Sequence, residues 1–544
     1  MGIPAYFSSI IKRYPSIIKK YQKSLIVNQL FMDCNSVIYD CFHNMAKEIS
    51  SKSQYEIEKK LINNVIEKLD YYLRTIGGQE ISFLAFDGVA PVAKMEQQKT
   101  RRYKSQYEKR YMEDEFSLKN VEPWNTSAIT PGTMFMKKLE RALMDHYSKG
   151  KNVVVEFSNP GEGEHKIFDY IRARKLQGNT IIYGLDSDLI MLSLQNTQYC
   201  ENIYLYREMP EFIASIDASL KPHDMYMVDI NEFAKYLAYY LNDEVMPNIH
   251  TCGQRRIEDY IFICFLLGND FLPHFPCINL RRHGMDFIME SYIYAIGKTQ
   301  DYIISENKTI NWKVFRSMIN AMEKEEEKYM QDEDQYRNKQ NRKYFPQKTE
   351  EEQKMFFANQ PVIFREKEVY INPFEDHWQG RYYYTLFNID SNVMAAQDYQ
   401  AAIKSICMNY LEGLEWTYKY YSKGCVDWRW HYQYAYPPLL SDLKKYIPYF
   451  NETLVSEKEK NPVSDVVQLS YVLPLDKDLW SQLLHTQLVN KFLQVYNDEI
   501  INNTKTFMEW SYCRYFWECH VIFENYPNVK QLEEKIGKNN LKNK

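Results

Sequence analysis

Three apolar runs in this chain end on an aspartate: LFMD at 30–33, ISFLAFD at 81–87 and NTIIYGLD at 179–186. If each run is a strand of an open α/β sheet, the carboxyl ends line one crevice, and Asp33, Asp87 and Asp186 converge there. Asp188 follows at i+2, so a strand still extended at that point returns its side chain to the side of Asp186. NPGEGEHKIFDYIRARK (159–175) adds Glu162 and Glu164 after Pro-Gly, at the start of an expected helix. LLGNDFLPH (266–274) supplies Asp270, which alone reads as a turn residue. A lone aspartate at a strand end is most simply a helix cap, but a group of six such acids resists that explanation. Crowded carboxylates repel one another and are kept ionised by a bound cation. Hard oxygen donors in this number suit Mg²⁺, with Mn²⁺ as a substitute. Two such ions about 3.5–4 Å apart serve in-line displacement at a phosphodiester. The chain has no GxxxxGK[ST] loop and no kinase HRD or DFG set, which disfavours nucleotide-driven transfer and favours hydrolysis.

The phosphate partner is legible next to one of these acids. After Asp87 the chain reads DGVAPVAKMEQQKTRRYK, and a helix over 93–104 puts Lys94, Gln98 and Arg101 at i, i+4 and i+7 with Arg102 alongside. Three cations and an amide donor suit a terminal phosphate. Residues 94–110 carry seven Lys or Arg against two Glu, a local +5 within a chain whose net charge is 67 − 72 = −5. A solvated helix face is the plainer explanation of such a stretch; its position beside the acids favours a localised anionic ligand.

These residues need elements to hold them. A chain of 544 residues, 45% hydrophobic and 26% charged, has room for several domains and a large core, which excludes disorder and small stapled scaffolds. Short apolar runs alternating with helical stretches up to about residue 290, NVVVEF (152–157) among them, predict an α/β unit with a largely parallel sheet. Ile57, Leu61, Val65 and Leu69 form a helix stripe between the first two strands. Residues 322–354 are densely charged and read as a solvated helical connector. From about residue 380 the chain is aromatic-rich and helical. The expected organisation is a catalytic core over 1–295, a charged connector over 296–365, and an aromatic-rich region over 366–544 that completes the cleft. Ten scattered cysteines without a C-x-x-C pair read as reduced thiols of a cytosolic or nuclear protein. The N-terminus does not read as a secretory signal, and Tyr6 breaks the myristoylation pattern. The longest apolar run, Tyr260 to Leu267, is far shorter than the roughly 18 residues of a membrane span.

MGIPAYFSSIIKRYP, MDCNSVIYD, DGVAPVAKMEQQKTRR, ITPGTMFM, NPGEGEHKIFDYIR, IYGLDSDLIML, RIEDYIFICFLLGNDFLPH and YLEGLEWTYKYYSKGCVDWRWHYQYAYPPLLSDL occur in that order. Together they resemble the successive motifs of the XRN family of eukaryotic 5′-to-3′ exoribonucleases, part of the wider flap-endonuclease-like metal nuclease group. The resemblance implies a mixed, largely parallel sheet flanked by helices, with a mostly helical second region packed on it. It implies processive, Mg²⁺-dependent degradation of single-stranded RNA bearing a 5′-monophosphate, with release of nucleoside 5′-monophosphates. It makes Asp33, Asp87, Glu162, Glu164, Asp186, Asp188 and Asp270 the metal-binding acids, and Lys94, Gln98, Arg101 and Arg102 the 5′-phosphate pocket. Where the family stacks a histidine on the terminal base, this chain has Tyr39, which keeps a π face but loses the imidazole. Trp428 and Trp430 match an aromatic cluster in which the family has an RNA-contacting tryptophan; core packing is the competing role for each. The resemblance further implies an intracellular monomer, cytoplasmic or nuclear (or of a viral factory or virion if virus-encoded), for which decapping or RNA-processing factors are candidate partners that the sequence does not show, and no counterpart to the cytoplasmic type's long C-terminal region. A flap-type DNA endonuclease, a phosphatase using the Asp186–Asp188 pair and a catalytically inactive RNA-binding scaffold are the alternatives. The first does not predict the 87–102 or 428–434 segments, the second leaves five acids unexplained, and the third has no need of a metal cage.

Overall fold

A seven-stranded sheet organises the first half of the chain, in a computed structural model that describes residues 3, 5–45, 52–118, 124–148, 150, 152–207, 218–221, 224–245, 252–510 and 512–541. Of the opening motif, Met1, Gly2 and Pro4 lie outside the described residues. The strands are β1 (Ile18–Lys20), β2 (Gln29–Asp33), β3 (Ile81–Ala85), β4 (Val153–Glu156), β5 (Leu176–Tyr183), β6 (Cys200–Arg207) and β7 (Tyr226–Asp229), in the order β1-β7-β6-β5-β2-β3-β4. Strands β2 to β6 are parallel, while β7 runs antiparallel to both β6 and β1. The chain therefore leaves β2 towards β3 and β4 on one side and returns to β5 on the other. Such a reversal opens a crevice at the strands' carboxyl ends.

Period-2 alternation sorts the strand residues between two cores. Leu30 and Met32 of β2, Leu84 of β3, and Ile181 and Tyr183 of β5 face one apolar cluster; Phe31, Phe83 and Ile182 face the other. The Ile57, Leu61, Val65 and Leu69 stripe packs in the first cluster, on a helix Gln54–Thr75 that opens with a Ser53–Glu56 capping box. That cluster also contains Val467, Leu469, Trp480, Phe492 and Leu532, and the other contains Ile403, Leu411, Trp416 and Leu443. Residues from the second half of the chain thus cover both faces of the sheet.

Two features depart from the expectations above. Strand β3 ends at Ala85 and β5 at Tyr183, so Asp87 and Asp186 stand in the loops beyond and not on the strands. The charged stretch after residue 322 is helical, Glu326–Asn341 followed by Glu350–Ala358, but one stripe is not solvated. Glu326, Met330, Glu333 and Arg337 are buried, on a face whose charges escape a search for apolar periodicity. A small hairpin, β8 (Lys505–Glu509) with β9 (His520–Glu524), lies near the end of the chain. None of the ten cysteines is in a disulfide, and no helix among the described residues is long and apolar enough to cross a membrane.

Candidate active site

Asp33 closes β2, and its carboxyl accepts the main-chain N–H of Asn35. In the loop after β3, Asp87 accepts the Gly163 N–H at 2.8 Å and Asn35 Nδ2–H at 2.5 Å. Glycine at 163 suits this close approach, because a Cβ there would stand 2.8 Å from Asp33 Oδ1 and push that carboxyl aside. Without one, the N-terminus of helix Gly163–Arg172 closes onto both aspartates. Glu162 and Glu164 flank that glycine, and Glu162, at the N-cap position, makes no capping hydrogen bond. Its Oε1 instead accepts the Tyr420 hydroxyl at 2.9 Å, while Oε2 pairs with Lys94. Lys94 Nζ also meets Asp270 Oδ2 at 2.6 Å. Asp188 is reached differently from the strand alternation expected of it: it is the first residue of helix Asp188–Gln195. A contrast is Asp229 at the end of β7, whose carboxylate accepts the Glu232 N–H at 2.9 Å and does cap a helix.

Burial and mutual repulsion govern the titration of these groups. Burial, then Asp87 and Asp186, push Asp33 well above the usual carboxyl range. Burial with Asp188 and Glu162 does the same to Glu164, and burial with Asp270 raises Asp188 to about 7. Burial raises Glu162 despite the opposing pull of Lys94. Asp270 goes the other way: against its burial, Lys94 holds it well below the usual range. Arg101 and Arg207 add positive field at Asp270 and Asp186 from farther off, but seven carboxyls outnumber these cations. Among the described residues, Glu162, Glu164 and His165 offer donor atoms within 4.8 Å of one another, and Glu164 Oε2 is buried without a hydrogen-bond partner. Burial keeps His165 neutral, the form that ligates metals. Hard, crowded carboxylate oxygens short of positive charge fit a divalent cation such as Mg²⁺. The sequence reading passes over His165, although it directly follows Glu164 in GEGEH.

The basic helix, Val92–Phe116, divides its predicted phosphate-binding residues. Lys94 is turned to the acids. Gln98 is buried with Oε1 unpartnered, and Arg102 donates from Nη2 to Thr130 Oγ1 at 2.6 Å with Nη1 unpartnered. Burial and Arg101 pull Arg102 down to about 10, partly opposed by nearby Tyr39. Arg101 is exposed and lines a cleft of about 800 Å³ with Asp270, Gln97, Lys104 and Arg281. Lys104, which the sequence reading omits, donates to the Trp517 carbonyl at 2.6 Å and is pulled to about 8 by burial. It lies on the helix face next to the one selected by i, i+4 spacing.

The three aromatic candidates lie apart in role. Tyr39 is half-buried in helix Asn35–Met45, beside the apolar cluster. Trp428 is half-buried too, and its carbonyl accepts the Val92 N–H at 3.0 Å, fixing the start of the basic helix. Trp430 turns one ring face inward onto Trp416, at 5.1 Å between centroids and 24° between planes.

The family description "XRN 5′-3′ exonuclease N-terminus" matches residues 1–209, and "Xrn1 helical domain" matches 252–373 and 366–485. Among curated proteins, the chain is 26% identical to 5′-3′ exoribonuclease 1 of Saccharomyces cerevisiae, over 87% of this chain and 39% of that protein. It is 26% identical to 5′-3′ exoribonuclease 2 homolog of Drosophila melanogaster, over 87% of this chain and 64% of that one. With 5′-3′ exoribonuclease 1 of Homo sapiens the identity is 27%, over 81% and 29%. The chain thus spans less than two thirds of each of these relatives.

Proposed function

Because the chain belongs to the XRN 5′-3′ exonuclease family, we propose that it is a Mg²⁺-dependent exoribonuclease that degrades 5′-monophosphorylated RNA processively from the 5′ end, releasing nucleoside 5′-monophosphates. The observation that carries this reading is the juxtaposition of seven converging carboxyls with a basic helix at one crevice. Asp33, Asp87, Glu162, Glu164, Asp186, Asp188 and Asp270 hold the metal in this account. Bound there, Mg²⁺ supplies an activated water and charge stabilisation for the leaving oxygen. Lys94 keeps Glu162 and Asp270 ionised and oriented. Arg101 and Arg102 receive the terminal phosphate through charge-assisted hydrogen bonds, which is why a 5′-monophosphate is preferred. The water oxygen bonds to phosphorus as the P–O3′ bond breaks, and the 3′ oxygen leaves as a hydroxyl once it has taken a proton. Tyr39 stacks on the terminal base, and residues 366–544 close the cleft from the other side.

The test is incubation of the purified protein and Mg²⁺ with matched 5′-monophosphate RNA, 5′-triphosphate RNA and DNA. Mononucleotides accumulating from the first substrate alone is the expected result. Internal cuts, or equal attack on DNA, would replace this reading with a flap-type endonuclease.

A further inference from the structure

Helix Ala396–Lys423 contributes no carboxylate to the site, yet it reaches the site through Tyr420 and Tyr421, both of which pack on His165. The Tyr420 hydroxyl donates to Glu162 Oε1 at 2.9 Å. Its ring is clamped between His165, at 3.8 Å and 26°, and Trp416, at 4.9 Å and 24°. Trp430 extends the stack on the far side of Trp416. The edge of Phe271, the residue after Asp270, packs on both Trp416 (5.0 Å) and Tyr420 (5.6 Å). Gly413 makes this packing feasible, since a Cβ there would stand 2.5 Å from Leu272 Cδ2 and 2.9 Å from Trp430 Cη2.

We infer that Tyr420 is a positioning residue for Glu162, and that the Trp430–Trp416–Tyr420–His165 stack is the device that aims it. The inference rests on the metal-dependent reading above and deepens it. A glutamate flanking a helix start has several rotamers, and two donors remove that freedom: Lys94 on one oxygen and Tyr420 on the other. The two donors differ in kind. Lys94 is a cation that competes with a metal for the same negative charge. Tyr420 is a neutral donor that orients the carboxylate without reducing its charge, which is the usual work of a group standing behind a metal ligand. The clamped ring cannot swing away, so the hydroxyl remains where Glu162 needs it. Through Phe271 the same stack also braces the loop that carries Asp270.

The test is a Mg²⁺ titration of the full chain followed by thermal melting, on the unsubstituted protein and on Tyr420→Phe, Trp416→Phe and Tyr410→Phe. Tyr410→Phe is the control, because it deletes a buried hydroxyl on the same helix that donates to the Pro273 carbonyl at 3.0 Å and touches no acid. For Tyr420→Phe, the Mg²⁺ concentration giving half the thermal gain should rise roughly 10- to 100-fold, with the metal-free melting temperature little changed. Trp416→Phe should move the same midpoint less, and the control should not move it. A Tyr420→Phe protein that melts lower without Mg²⁺ but keeps the parental midpoint would show a packing role and overturn the inference alone. If the unsubstituted protein gains nothing from Mg²⁺, the metal-dependent reading falls with it.

Discussion

Two buried clusters of charge in this chain invite comparison. Around Glu368, Arg337 donates from Nε at 3.0 Å and from Nη2 at 2.6 Å, and Arg365 donates to Asp334 at 2.8 Å. Glu333 stands by Arg282, and the Cys513 N–H donates to Glu368 at 2.8 Å. Three arginines face three carboxylates, and main-chain carbonyls of Pro361 and Arg514 also accept from Arg337 Nη2, so charge is balanced although Arg337 Nη1 and Arg282 Nη1 have no hydrogen-bond partner. The crevice at the sheet is the opposite case, with seven carboxyls, few cations and an unpartnered Glu164 Oε2. Charges that cancel lock elements together, whereas charges left in excess require a ligand to complete them.

That difference can be broken from either side. Asp186→Ala with Asp188→Ala should lower hydrolysis by roughly 10³-fold or more, as the several kcal/mol supplied by the metal are lost. Its metal-free melting temperature should change little, because losing Asp188 relieves repulsion while losing Asp186 gives up a carboxylate that its surroundings hold below the usual range. In the balanced cluster, Arg337→Met should cost about 3 kcal/mol of stability, because Glu368 loses one of its two arginine partners and keeps only Arg365, while the Mg²⁺ midpoint stays put. If denaturant melts show the acid-site variant destabilised and Arg337→Met neutral, the distinction between the clusters is wrong. Next in size, Arg101→Ala with Arg102→Ala should erode the preference for 5′-monophosphate over 5′-hydroxyl RNA by roughly 10- to 150-fold, the value of about 1.5–3 kcal/mol in charged hydrogen bonds. An equal loss on both substrates in competition assays would make them general backbone contacts. Tyr39→Ala should slow stepping without shifting the Mg²⁺ midpoint, since a base stack is worth about 1–3 kcal/mol; Tyr39→Phe and Tyr39→His should retain most activity. Product-length distributions read this directly, and normal processivity in Tyr39→Ala would assign the ring to packing.

The smallest effect expected is on pH dependence. Asp33, Glu164 and Asp188 have folded pKa values above their unfolded ones, with Asp188 at about 7. Their stabilising contribution is complete below the unfolded carboxyl range, near pH 4, and is lost as pH rises through each group's folded value, about 7 for Asp188. Asp270 works in reverse, stabilising above its unfolded pKa and losing that contribution only in acid. The metal-free protein should therefore melt a few °C lower at pH 8 than at pH 5.5, roughly, and the thermal gain from Mg²⁺ should be larger at pH 8. Melts across that range that show no such slope would contradict the crowding described here.

How much of this is legible in sequence depends on the kind of signal. Apolar runs ending in aspartate announce β2, β3 and β5 because both the strands and their crevice follow from burial and topology. Strand β6, CENIYLYR, is broken up by polar residues, and β1 and β7 have only three and four residues, so periodicity passes over them. Asp188 is identifiable by type, but its approach from a helix start is a matter of three-dimensional path. Lys104 and Arg101 share a cleft because helix Val92–Phe116 turns a neighbouring face to it, and helical spacing alone does not say which face meets a cavity. Tyr420 is one aromatic in a run of many, and nothing local distinguishes it from its neighbour Tyr421. Its partner Glu162 is 258 residues away, beyond what any pattern along the chain can reveal.

That separation has a consequence for how the protein is made. The last acid, Asp270, leaves the ribosome well before Tyr420, and well before Val467 to Leu532, which cover one face of the sheet. At about 5–20 residues per second, the interval from Asp270 to Leu532 is roughly 13–50 s. At its start the growing polypeptide carries every carboxylate of the crevice, Tyr420 joins only part-way through, and the residues that cover one face of the sheet come last. On the exoribonuclease reading proposed above, the substrate class includes the chain's own message, and the crevice stays without its covering segments until these late residues have emerged.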